Sequence, residues 1–305
     1  MKSRFHNKRF RKQLPFWVML IIPLLYFILI KYWPMFGIAI AFQDYKLGDP
    51  FLSTSSRWVG LKWFKQLFKN PNLGRLIRNT ILLNLLGLIT AFPIAIIFAL
   101  LLNELRTEKF RSFAANVSLL PYFISTVVIV AIMVNVLAIN DGLVNQIIQK
   151  LGGEQINFML ESKWFRPLFI GSGIWASTGF DAVVFTAAIS GIDPNLYEAA
   201  AIDGSNRLKN IVYITIPCIL PTIIMMFLLR IGKIMTVGYE KIMLMYSPAI
   251  YDVSDVLSTY SYRAGLVNNK QSLSTAISLM NAICNVTVLI IANRITKKVS
   301  DSSLW

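Results

Sequence analysis

Six long apolar segments constrain the fold of this sequence more than any other feature. A helix needs about 20 mostly apolar residues to cross a hydrocarbon core of roughly 30 Å. Only 15% of the 305 residues are charged, whereas average globular chains have about 25% charged residues. We therefore predict an all-α integral membrane protein with six transmembrane helices. The predicted segments are 15–30, 80–102, 113–137, 168–190, 213–235 and 272–295.

The first segment is short and follows a basic stretch, which is also the pattern of a secretory signal peptide. No small-residue cleavage site follows it, because residues 31–34 read Lys-Tyr-Trp-Pro. An uncleaved first span is therefore favoured. Tyr32, Trp33 and Pro34 extend it as an aromatic end at the membrane interface.

The charges at the two ends of the chain predict its orientation. Residues 1–14 form a basic tail without an acid, and residues 294–298 add three further cations. An even number of spans leaves both termini on one side, and basic residues favour the cytoplasm, so we expect both termini there. The loops 103–112 and 191–212 are then cytoplasmic. The outer loop 31–79 conflicts with this orientation, since it carries eight Lys or Arg residues.

Several chemical classes are excluded by composition. Cys218 and Cys284 are the two thiols, and both lie in apolar runs, so no disulfide framework or CxxC metal site is expected. His6 is the one histidine, which excludes His-based triads and zinc sites with His ligands. The chain has no Gly-rich phosphate loop, so ATP chemistry must come from another chain. We predict no catalytic residue, metal or cofactor. The net charge of +15 fits a membrane protein better than a nucleic-acid binder.

The second predicted cytoplasmic loop has a readable local structure. Asp193 suits a helix N-cap and Pro194 the first helical position. Gly204 provides a left-handed stop, and Ser205 is predicted to cap a second helix that enters the fifth span. An ordinary loop helix also explains this stretch.

The same loop resembles the EAA signature of ABC importer membrane subunits. That signature has EAA, three residues, Gly, nine residues, and then Ile, any residue, Leu and Pro. Here Glu198-Ala199-Ala200, Gly204 and residues 214–217 follow it, with Ile216 in place of Leu. Other segments resemble, in the family's order, the sugar permeases related to maltose-importer subunits and their complex-oligosaccharide and polysaccharide (LplB-like) subgroup. These segments are 39–45, 58–64, 78–80, 259–266 and 304–305.

This resemblance implies a type I importer of oligosaccharides or polysaccharide fragments in the bacterial cell membrane. Two permease subunits would form the pathway, two ATP-binding cassette subunits would bind beneath it, and an extracellular solute-binding protein would deliver the sugar. This chain would transport without covalent chemistry of its own, as one transmembrane permease domain over residues 15–305. The residues expected to dock on the ATPase are Glu198, Ala199, Ala200, Asp203 and Gly204.

Four residues of the fourth predicted span are candidates for the sugar pathway. Aromatic rings stack on the apolar faces of sugars, so Trp175 and Phe180 are expected to contact sugar rings. Ser177 and Asp181 are expected to bind sugar hydroxyls. The family resemblance also implies that this helix contributes to the sugar site.

Two cations in the fifth predicted span are the remaining candidates. Arg230 and Lys233 have i, i+3 spacing, which directs both to one helix face. A cation within a membrane span is costly unless it is paired or hydrated. We predict that the two face the cavity, held in part by Asp181 or Glu240, where an acidic oligosaccharide would suit them. The alternative is that both snorkel to the outer interface.

Three other functions compete with this interpretation. A secondary transporter is expected to have inverted repeats and interrupted helices, and no repeat is visible in the sequence. An intramembrane enzyme needs a clustered acid, nucleophile or metal site, and Asp181 is the only acid deep in a span. An importer permease for a solute other than a sugar is the third alternative.

Overall fold

The computed structural model describes residues 2–46, 48 and 57–299, and most of them are helical. The predicted all-helical fold is confirmed, since the described part contains only an isolated β-bridge between Gln43 and Trp58. The terminal match at 304–305 lies outside the described residues. The helices are α1 (Lys2–Tyr26), α2 (Lys62–Phe68), α3 (Leu73–Asn103), α4 (Glu108–Leu119), α5 (Thr126–Val136), α6 (Leu143–Lys150), α7 (Ser162–Ser190), α8 (Pro194–Ile202), α9 (Arg207–Asn210), α10 (Ile216–Ile231), α11 (Tyr239–Met245), α12 (Tyr251–Ser254), α13 (Leu257–Tyr262) and α14 (Gln271–Val299).

Five helical stretches of the described chain are long and apolar enough to cross a membrane without a sharp bend. They agree with the first, second, fourth, fifth and sixth predicted spans, although most of them start or end several residues outside the predicted limits. The first continues past residue 30 through a π-helical turn and a 3₁₀ segment. The five stretches are Pro15–Phe42, Leu73–Asn103, Ser162–Ser190, Arg207–Ile231 and Gln271–Lys298.

The third predicted span, 113–137, corresponds to two helices with a sharp bend between them, which together make a sixth apolar span. Its two halves, Glu108–Phe123 and Thr126–Val136, meet at an angle of 95°. Ile124 has extended backbone between them, and the Ser125 hydroxyl accepts a 3.4 Å hydrogen bond from the Val128 amide as the N-cap of α5. The apolar run continues across the break, so hydrophobicity alone does not reveal it.

The chain divides into two compact units, and the first comprises Met1–Lys69 and Arg263–Leu279. Within it, the segment that follows the first span folds back onto α2. The Trp63 indole donates a 2.9 Å hydrogen bond to the Gln43 carbonyl, and Lys62 pairs with Asp44 at 2.9 Å. Leu67 is fully buried, whereas Phe68 is exposed. Helix α2 is therefore amphipathic.

The second unit comprises Asn70–Tyr262 and Met280–Trp305, and its most extensive helix pair is α3 with α7. Ala95 and Ala99 of α3 are fully buried and lie one turn apart, in a core shared with Ala182 and Phe185 of α7. Small side chains let two helices approach closely in a membrane. A separate cluster joins Leu83, Val130, Phe165, Val237, Ile242, Met245, Ile250 and Val256.

The crossing of α4 and α7 depends on Gly179. A Cβ atom at this position would overlap the carbonyl oxygen of Ser118. We predict that Gly179→Ala lowers stability by about 1–3 kcal/mol, because overpacking forces the helices apart. Gly171 of the same helix is the matched control, since a Cβ there meets no atom within 4 Å. Thermal unfolding of the purified protein tests this, and equal midpoints for the two alanine variants would contradict it.

Candidate functional site

The second unit contains a cavity of about 570 Å³. Its volume lies in the range of about 300–1,000 Å³ that is typical of small-ligand pockets. Its walls come from α3, α7, the break between α4 and α5, the turn after α10, and α11. Three cations are part of the lining: Arg230, Lys233 and Lys241. The side chains that supply hydroxyl or amide groups are Asn84, Tyr122, Thr126, Ser172, Ser177 and Thr236.

An ion pair joins α7 to α10 beside this cavity. The guanidinium of Arg230 lies 2.7 Å from the carboxylate of Asp181, and the two side chains are only 27% and 17% exposed. The guanidinium also lies 5.5 Å from the centre of the Phe92 ring, within cation–π range. The expected pairing of Arg230 with Asp181 is therefore present.

Lys233 and Arg230 were predicted to share one helix face, but Lys233 lies outside the helix. Helix α10 ends at Ile231, and Lys233 lies in the turn that follows, where its amide donates a 3.0 Å hydrogen bond to the Arg230 carbonyl. A Cβ at Gly232 would lie 3.1 Å from the Leu289 side chain, so α14 passes close to this turn. Lys233 nevertheless reaches the cavity, because the turn itself forms part of the wall.

Two asparagine side chains hold this turn. Asn84 of α3 donates a 2.7 Å hydrogen bond to the Ile234 carbonyl. Asn285 of α14 accepts a 2.9 Å hydrogen bond from the Met235 amide and donates one of 2.8 Å to the Thr236 hydroxyl. The turn lies beyond the last helical residue, Ile231, where backbone groups lack their regular helical partners. The amides satisfy these groups and thereby position the segment between Arg230 and Lys241.

The third cation, Lys241, was not predicted from the sequence. It belongs to the short helix α11, outside the spanning helices, and its ammonium donates a 2.7 Å hydrogen bond to the Phe169 carbonyl of α7. Burial lowers the pKa of Lys241 to about 8. Ile242 and Met245 are buried with i, i+3 spacing, which marks the inner face of α11, but no sequence signal pairs this helix with α7.

The two predicted aromatic residues lie outside the cavity lining of the described structure. Trp175 is 52% exposed on the surface of α7. Phe180 is 44% exposed and stacks on Tyr122 with ring centres 3.9 Å apart. Tyr122 does line the cavity, as does Ser177 of the predicted set. The contribution of Trp175 and Phe180 to a sugar pathway stays a prediction.

The predicted loop helix is present as α8. The carboxylate of Asp193 accepts a 3.0 Å hydrogen bond from the Asn195 amide, and Gly204 has a left-handed φ of +72°. The Ser205 amide bonds to the Ala200 carbonyl at 2.9 Å, which closes the helix end in a Schellman arrangement. The predicted cap of the second helix was wrong by one residue, since Asn206, not Ser205, caps α9.

The surface of this loop is open to a partner. Glu198, Ala199, Asp203 and Gly204 are exposed, and Ala200 is partly buried. Ile202 is 87% exposed although it is a large apolar residue. The base of the loop is tied to the chain that enters α10 by a 2.9 Å hydrogen bond between the Tyr197 and Thr215 hydroxyls.

A sequence model of the family described as "Binding-protein-dependent transport system inner membrane component" matches residues 91–301. The chain belongs to this family. It is therefore a transport component and a multi-pass bacterial membrane protein, and the EAA resemblance is confirmed at the level of the family.

Curated relatives of this permease include two proteins of Bacillus subtilis (strain 168). The polygalacturonan/rhamnogalacturonan transport system permease protein YteP is 40% identical, over 92% of this chain and 87% of its own length. Protein LplB is 39% identical, over 94% of this chain and 90% of its own length. The similarity thus extends over most of this chain and over most of each relative.

Two solved structures share the fold of the permease. One is a bacterial alginate ABC transporter in complex with alginate pentasaccharide-bound periplasmic protein, with 34% identity, a TM-score of 0.88 and coverage of 97% of this chain and 99% of that chain. The other is a bacterial ABC transporter involved in the import of the acidic polysaccharide alginate, with 35% identity, a TM-score of 0.87 and coverage of 96% and 98%. The type I ABC permease fold is therefore confirmed.

The ion pair beside the cavity predicts a measurable coupling. Asp181→Asn leaves the Arg230 cation without its carboxylate, and Arg230→Met leaves the carboxylate without its cation. Removing one partner of a sheltered pair costs more than removing both, so we expect the double variant to lose less stability than the two single losses combined. The expected coupling is about 0.5–3 kcal/mol. Thermal unfolding of the four proteins measures it, and additive losses would disprove the coupling.

Proposed function

We propose that this permease is one of two membrane subunits of an ATP-driven, binding-protein-dependent importer, and that its substrate is an acidic oligosaccharide or polysaccharide fragment. The partners are a second permease chain, which completes the pathway, two ATP-binding cassette ATPases and an extracellular solute-binding protein. ATP hydrolysis belongs to the ATPase chains. The permease binds, selects and moves the saccharide.

The charge of the cavity carries this proposal. Of the three cations in its lining, Arg230 has a carboxylate partner, Asp181, at 2.7 Å. Lys233 and Lys241 have no carboxylate within 4.0 Å among the described residues. A cavity with surplus positive charge attracts anionic ligands, and carboxylates form strong charge-assisted hydrogen bonds with such groups.

The relatives support the same substrate class. A permease 40% identical to this chain is part of a polygalacturonan/rhamnogalacturonan transport system, and a transporter of the same fold imports the acidic polysaccharide alginate. Hydroxyl and amide groups of Ser177, Asn84 and Thr126 in the lining are suited to sugar hydroxyls. We also propose that Trp175 and Phe180 stack on sugar rings once the second subunit completes the pathway.

The exposed loop is the proposed contact with the ATPase. Ala199 and Ala200 allow close approach of a groove wall, Glu198 offers a carboxylate to a basic residue, and Asp203 and Gly204 form the turn. Alternating access then requires that movement of this loop change the relative stability of the inward-open and outward-open states.

The substrate class is tested by uptake into proteoliposomes that contain the complete transporter and its cognate binding protein. We expect tetragalacturonate or an alginate tetrasaccharide to be taken up at least tenfold faster than the carboxyl-reduced saccharide of equal length. Lys233→Met should slow uptake of the acidic saccharide several-fold, because it removes one unpaired cation from the wall. Preference for the reduced saccharides would contradict the proposed substrate class.

The coupling role is tested at Gly204. Its φ of +72° strains other residues, although no atom lies within 4 Å of a Cβ added there. Asn tolerates this left-handed backbone far better than a β-branched residue, so Gly204→Asn is the control for Gly204→Val. We expect the valine variant to insert normally but to lose at least fivefold in saccharide-stimulated ATP hydrolysis, while the asparagine variant stays within twofold of the unmodified protein. Equal stimulation in both variants would refute the coupling role.

A further inference from the structure

Lys241 occupies a place on α7 that fits an ammonium group. Its Nζ lies 2.7 Å from the Phe169 carbonyl oxygen and 4.6 Å from the centre of the Phe169 ring. One turn later, Gly173 leaves the helix surface free of a side chain, and a Cβ there would lie 3.5 Å from Nζ. The carbonyl dipole, the ring face and the glycine together hold the cation at the cavity wall.

No acid neutralises this cation in the described part of the chain. Arg230, in the same cavity, has Asp181 at 2.7 Å, but Lys241 has no carboxylate within 4.0 Å among the described residues. Glu240 is adjacent in sequence and exposed, and neighbouring residues of a helix do not face each other. A partly buried cation without a counter-ion is costly. A carboxylate brought by a ligand would offset that cost.

The ammonium also has donors to spare. A lysine ammonium has three N–H donors, and the Phe169 carbonyl is its one hydrogen-bond acceptor in the described structure. The ammonium can therefore bind a ligand carboxylate without breaking its bond to α7. At pH 7 a lysine with a pKa of about 8 is about nine-tenths charged, and an approaching anion favours the charged form further.

We propose that Lys241 is a specificity-determining residue of the permease, and that its ammonium binds a carboxylate of the acidic saccharide as it passes through the cavity. This inference rests on the proposed function and adds to it a residue that neither the EAA signature nor the predicted pathway includes. Lys241 differs from Lys233, which lies exposed in a turn, because α7 holds its charge in one position. A positioned cation selects by the location of the carboxylate as well as by its charge.

Two substitutions separate the charge from the tether to α7. Lys241→Gln keeps an N–H donor for the Phe169 carbonyl but removes the charge, whereas Lys241→Arg keeps both. Lys163→Gln is the matched control, because Lys163 is an exposed lysine on the same helix as Phe169, pairs with Glu161 at 2.7 Å and lies outside the cavity lining. The loss of a lysine charge is therefore compared at two sites.

The experiment measures initial uptake rates at pH 7 in proteoliposomes with the complete transporter. The probe is tetragalacturonate or an alginate tetrasaccharide, whichever the cognate binding protein binds, at a concentration that saturates that protein. We expect Lys241→Gln to slow uptake at least tenfold. Lys241→Arg should stay within twofold of the unmodified transporter, and Lys163→Gln should not change the rate. Thermal unfolding curves, measured in parallel, verify that each of the four proteins is folded at the assay temperature.

The comparison has a defined contrary result. A ratio of the arginine to the glutamine uptake rate below fivefold overturns the inference, because the charge at this position would then not matter. If the glutamine variant fails to assemble, Lys241→Met replaces it as the uncharged variant under the same criterion. If the unmodified transporter takes up neither acidic probe, the proposed substrate class is overturned and the inference with it. Normal uptake with a small ratio overturns the inference alone.

Discussion

A backbone group that leaves a regular helix needs another hydrogen-bond partner, and side chains supply such partners at two interruptions of this chain. The turn after α10 frees carbonyl and amide groups, and Asn84 and Asn285 bind them from two other helices. The break before α5 is capped by Ser125. Because the amides come from α3 and α14, the turn cannot shift without these helices. The hydrogen bonds of Asn84 and Asn285 therefore fix the turn after α10, which contains Lys233 and precedes the segment that connects to Lys241.

The cavity charges follow from that arrangement. Arg230 is the penultimate residue of α10 and is neutralised by Asp181 of α7. Lys233 and Lys241 lie beyond the end of the helix and have no carboxylate within 4.0 Å among the described residues. Coulomb interactions grow stronger as water is excluded, so two unpaired cations in a partly enclosed wall have a larger effect on an anionic ligand than the same charges on an open surface. The interruption of α10 thus gives the cavity its positive surplus.

Apolar length and local capping rules predicted much of the fold, because both depend on residues close in sequence. Gly204 was predicted in the left-handed region and has a φ of +72°. The prediction failed where an outcome depends on distant contacts or on two equivalent local choices. The apolar run across Ser125 conceals a bend of 95°. Ser205 and Asn206 are both good caps, and the chain uses Asn206. Lys241 could not be assigned to the cavity, because its place depends on the packing of α11 against α7.

A direct mechanical connection links the proposed ATPase contact to the cavity. The Tyr197 hydroxyl of α8 bonds to the Thr215 hydroxyl at 2.9 Å, just before α10 begins. Arg230 lies about 22 Å further along the helix, at 1.5 Å per residue. Pro221 lies inside α10 and removes one backbone hydrogen bond, which provides a point where the helix can bend. Displacement of α8 therefore acts on the helix that carries Arg230, and the ion pair between Arg230 and Asp181 joins that helix to α7.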